Sequence, residues 1–83
     1  MSKVKVDGEG IKTFEVELKE ISLSDREDIM NQILDAEVQK NFTFHLFVIR
    51  KGTDWLDEDI NRYSDSELYA ISNKIIENMS KKK

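Results

Sequence analysis

The segment from Asn41 to Gly52 constrains the fold most, gathering Phe42, Phe44, Leu46, Phe47, Val48 and Ile49 within a chain of 83 residues. Elsewhere the sequence is polar, and charged residues make up 36% of the whole. So concentrated an apolar stretch has two uses: it forms the centre of the core, or it offers a surface to another molecule. Its pattern admits two conformations. Phe42, Phe44, Leu46 and Val48 alternate, and aromatic and β-branched content suits a strand. Yet Phe42, Leu46 and Ile49 also share a helical face, Asn41 or Thr43 can cap it, and Arg50, Lys51 and Gly52 make a suitable helix end. The helix is the preferred reading.

The flanking segments are plainer. Val4 and Val6, then Phe14, Val16 and Leu18, alternate with polar residues on either side of Asp7-Gly8-Glu9-Gly10, which predicts a β-hairpin with one buried face. Ser24 and Glu27 form a capping-box pattern, and Ile29, Met30, Ile33 and Leu34 follow at helical spacing. A helix over about 24–37 is expected, its apolar side on the hairpin. Thr53 to Tyr63 reads as a loop and short helical turn anchored by Trp55, Leu56, Ile60 and Tyr63. A second box, Ser64 to Glu67, opens a terminal helix whose stripe is Leu68, Ile71, Ile75 and Met79. The expected fold is therefore α+β: one domain over 1–83, with an N-terminal β-hairpin at about 3–20 and a compact bundle of three to four helices at about 24–80. A basic tail follows at 81–83. The alternative makes 42–50 a third strand, in the order ββαβα.

Composition narrows the chemistry. There is no cysteine, so thiol catalysis, thiolate metal sites and disulfides are excluded. No apolar run approaches the roughly 18 residues of a membrane span, and the N-terminus lacks a signal-peptide core. The expectation is a cytoplasmic protein that meets no membrane. A net charge of −4 argues against direct nucleic-acid binding. The acids concentrate at Asp54, Asp57, Glu58, Asp59, Asp65 and Glu67, six against Arg62 alone. Lys81, Lys82 and Lys83 read as a solvated terminus.

No catalytic constellation emerges. His45 is the single histidine and cannot build a metal site unaided, so a hydrogen-bonded core role is expected. Asp54, Asp57, Glu58 and Asp59 lack the glycine and ligand spacing of a calcium loop. The serines are better placed as helix caps than as nucleophiles, and neither nucleotide-binding glycine motif is present. The expectation is no enzyme, no cofactor, no metal and no small-molecule substrate.

What remains is the apolar surplus. A hairpin and two other helices cover only some sides of so apolar a helix: either it is simply the central core element, or part of it, together with Trp55 or Tyr69, forms a self-association or partner surface. The candidate interaction positions are Phe44, Phe47, Trp55 and Tyr69. Self-association through the Phe-rich helix would make a homodimeric structural protein. The acidic run at 54–67 raises another option, an acidic inhibitor or regulator occupying the basic groove of a host nucleic-acid enzyme.

The order of elements, with Val16 to Leu23, Ser24 to Ile29, Phe47 to Thr53, Glu58 to Ser64 and a terminal helix ending in lysines, resembles the small tail-assembly chaperones of tailed bacteriophages. That resemblance covers most of the chain. It implies a virion-assembly factor in the host cytoplasm, shielding apolar helices of a larger tail protein until polymerisation. It carries over no catalytic or ligand-binding residue.

Overall fold

The computed structural model describes residues 2–8 and 10–80; the basic tail lies outside the described residues. Strands β1 (Ser2–Gly8) and β2 (Ile11–Leu18) form a two-stranded antiparallel sheet. Val4 pairs with Val16 and Val6 with Phe14, which lines these side chains along one face. That face turns inward, with Val6, Val16 and Leu18 buried. The register shifts between Val6 and Gly8, and Gly10 carries the turn at φ 81°, a left-handed conformation that glycine adopts without steric cost.

Four α-helices follow: α1 (Leu23–Gln32), α2 (Phe42–Gly52), α3 (Asp57–Ile60) and α4 (Asp65–Ser80), with a 3₁₀ turn at Val38–Lys40. The α+β class and the hairpin-then-helices order agree with the sequence. The Phe-rich segment is helix, not strand. Asn41 caps it by accepting the Thr43 N–H at 2.9 Å, and Arg50 and Lys51 occupy its last turn.

The core lies between α2, α4 and the hairpin. Helix α2 buries Phe44, His45, Val48, Ile49 and Gly52, while α4 buries Leu68, Ile71, Ser72 and Ile75. Burying isoleucines such as Ile71 and Ile75 stabilises the fold by roughly 1.5–3 kcal/mol each. Gly52 does not end its helix through a positive φ. The helix runs through it, and Thr53 closes the turn by donating its hydroxyl to the Ile49 carbonyl at 2.8 Å. The glycine serves close approach to α4 instead.

Helix α1 departs from expectation at both ends. Its cap is Ser22, whose hydroxyl accepts the Asp25 N–H at 3.2 Å, two residues before the expected Ser24. This places Asp25 at the third helical position, where its carboxylate reaches Lys51 of α2 at 3.7 Å. The helix then stops at Gln32, not near Glu37. The Gln39 amide donates to the Ile33 carbonyl, and Asp35 accepts the Glu37 N–H, so local side-chain bonds replace the next helical turn. Only part of the anticipated stripe faces inward: Ile29 is buried and Ile33 partly so, whereas Met30 and Leu34 point to solvent.

Three contacts tie the segment that carries α1 to α2. The Lys19 N–H donates to the Gly52 carbonyl at 2.9 Å, Asp25 meets Lys51, and the Gln39 carbonyl meets His45. The start of α1 thus lies beside the end of α2, and the chain returns beside the start of α2.

Candidate functional site

The four anticipated interaction positions do not converge. Phe44 is 4% exposed and belongs to the core, so it offers nothing to a partner. Its place on the same side of α2 as Val48 and Ile49 explains why. Phe47 is partly buried on another side of α2, with the Lys51 ammonium 5.7 Å from its ring centre. Trp55 stacks on Tyr63 at 4.9 Å, and Tyr63 stacks in turn on Phe14 of β2 at 5.5 Å. Tyr69 lies between the rings of Phe42 and His45, at 5.5 and 4.7 Å. These three rings are half-buried and hold elements together. Leu56, expected as an anchor, is 67% exposed at the start of α3, and Asp59 rather than a leucine side chain completes that cap by accepting the Leu56 N–H.

His45 is buried and bonded through both ring nitrogens. A carbonyl only accepts, so Nε2 carries the proton it donates to Gln39 at 2.5 Å. In the neutral ring Nδ1 therefore accepts from the Ser72 hydroxyl at 2.6 Å. Hydroxyl, imidazole and carbonyl follow the order of an activated nucleophile, its base and an orienting group. However, Ser72 is 0% exposed, so this hydroxyl is closed to any substrate. The trio joins α4, α2 and the turn before α2, and its work is structural.

The acidic run is largely spent on the fold. Asp54 pairs with Lys19 at 3.5 Å and Asp57 with Arg50 at 3.1 Å. Asp59 caps α3, and Glu67 accepts the Ser64 N–H at 2.8 Å while Ser64 accepts the Glu67 N–H, the capping box expected of α4. Among the described residues no cluster of three His, Asp or Glu side chains could hold a metal ion, and no helix is long and apolar enough to cross a membrane.

Two open grooves stand out among the described residues. One, of about 480 Å³, runs between α2 and α3, with Phe42, Leu46 and Leu68 among its apolar lining and the Arg50–Asp57 pair beside them. The other, of about 560 Å³, lies between the hairpin turn and α4, near Gly8, Tyr69 and Ala70. Polar side chains edge both, Asp7, Ser66, Asn73 and Lys74 in the second and Glu58, Asn61 and Asp65 in the first, and both lie open to solvent rather than enclosing a ligand-sized space.

The feature that stands out is the outer side of α1. Leu23 is 71% exposed, Met30 38% and Leu34 84%. Leu23 and Met30, seven residues apart, share one helical face, and Leu34 follows just beyond the helix end. Sequence reasoning missed this surface because it assigned Met30 and Leu34 to the core. The signal was Leu23, which extends the spacing of Met30 and Leu34 backward onto the other face. No protein-family model matches the chain, and no curated protein or solved structure matches it either.

Proposed function

We propose that this chain is a non-enzymatic protein-binding module whose contact face is the outer side of α1. Large aliphatic side chains exposed singly are common, but Leu23 and Met30 share one face of α1 and Leu34 follows two residues beyond its end. That grouping is the observation that carries the reading. The finer proposal, drawn from the resemblance to tail-assembly chaperones, is that the module shields apolar helices of a larger phage tail protein during virion assembly in the host cytoplasm.

Co-expression with the products of adjacent genes, long helical tail proteins foremost, tests both levels. A stable complex that Leu23→Gln with Leu34→Gln dissolves supports the module. A complex with a tail protein supports its assembly role. Absence of association across the panel, judged by co-purification and light scattering, argues against both.

A further inference from the structure

The outer face of α1 is not purely apolar. Glu27 stands four residues after Leu23 and three before Met30, on the same face. It is exposed, and its carboxylate is in no ion pair among the described residues. Anything that covers Leu23 and Met30 also covers this carboxylate. Removing a carboxylate from water without a counter-charge is strongly unfavourable. The occupant must therefore bring a cation.

The surroundings point the same way. From Glu20 to Glu37 there are six acids, Glu20, Asp25, Glu27, Asp28, Asp35 and Glu37, against Arg26, a net of −5. Lys51 and Lys40, paired with Asp25 and Glu37, bring this to −3. A second copy docking face to face would set this acidic edge against itself, with Glu27 near Glu27. Like charges so placed disfavour association. An anionic lipid surface is disfavoured for the same reason.

Resting on the protein-binding reading, we propose that the outer face of α1 docks an amphipathic helix of a partner protein that sets a lysine or arginine against Glu27. The partner helix lays its own aliphatic stripe over Leu23, Met30 and Leu34, a helix-against-helix mode in which residues at three- and four-residue spacing anchor the contact. Basic residues flanking that stripe meet Glu20 and Asp28.

Three synthetic helical peptides test this against the full chain by fluorescence anisotropy. All have the same composition of aliphatic residues: one has lysine within a regular stripe, one has glutamate there, and one has the lysine version with its stripe scrambled. The lysine peptide is expected to bind best, with the glutamate peptide roughly tenfold weaker. Salt should weaken the lysine peptide severalfold. Glu27→Lys, an exposed change that leaves the fold intact by circular dichroism, should reverse the preference. Leu23→Gln with Leu34→Gln should abolish binding of either. Equal binding of lysine and glutamate peptides, or no reversal in Glu27→Lys, overturns the cationic partner while leaving a binding face in place. Equal binding of the scrambled peptide, or binding of none, overturns the docked helix; the co-expression result then judges the module separately.

Discussion

Gly52 of α2 lies so close to Ile75 of α4 that a Cβ placed on it would come within 2.9 Å of the isoleucine Cδ1 and 3.0 Å of its Cγ2. The tightest crossing of the two core helices depends on the absence of one methyl group. Gly52→Ala should therefore destabilise the protein by about 1–3 kcal/mol, outweighing the gain in helix propensity of at most about 1 kcal/mol. Ile75→Val removes Cδ1 and alone should cost about 1 kcal/mol. Combined, the two should lose less than their sum. Urea unfolding of the four proteins reads this coupling; strict additivity would mean the approach is looser than described.

The His45 trio gives a second test. His45→Ala leaves the buried Ser72 hydroxyl without its partner, frees the more exposed Gln39 carbonyl and opens a cavity, so a loss of about 3 kcal/mol is expected. Ser72→Ala should cost only about 1 kcal/mol. Nitrogen-15 shifts of the neutral imidazole should report protonation at Nε2. The opposite tautomer would contradict the Gln39 contact.

The cap of α1 distinguishes two serines. Ser22→Ala should lose about 1 kcal/mol, whereas Ser24→Ala should stay within about 0.5 kcal/mol. Equal effects, or the reverse, would place the helix start where the capping-box pattern alone puts it. Ser64→Ala, which removes the hydroxyl half of its box and keeps the Ser64 N–H bond to Glu67, should match Ser22→Ala.

Trp55 is the single tryptophan, and its ring lies on Tyr63 at an interplanar angle of 11°. Tyr63→Ala should shift its emission to the red and destabilise the protein by about 2–4 kcal/mol, since the same ring also supports Phe14. An unchanged spectrum would deny the stack.

How far the sequence disclosed all this follows from which physics was local. The hairpin was legible because alternation on both sides of two glycines admits little else. The Asn41 cap and the Ser64–Glu67 box were legible because both ends of each hydrogen bond lie within four residues. The helix does end at Gly52, but the glycine's further reason, its close approach to Ile75, lies on a neighbour distant in sequence and was not legible. Phe44 was proposed for a surface it never reaches, since composition counts apolar residues but does not orient them. On α1, Ile29 and Ile33 differ from Met30 and Leu34 by one step around the helix, and only the ties to α2 decide which pair turns inward.

Those ties have a mechanical outcome. The stretch from Lys19 to Gln39 is a handle with both feet planted on a single helix, one at the Gly52 carbonyl and one at the His45 imidazole. Between its feet it is held by the buried Ile21 and Ile29, the partly buried Ile33 and Val38, and the Asp25–Lys51 pair. Amides of residues 23–32 should therefore exchange with solvent through a partial opening, well before those of α2 and α4. A visitor could tilt or lift that handle while the vessel beneath it stays shut.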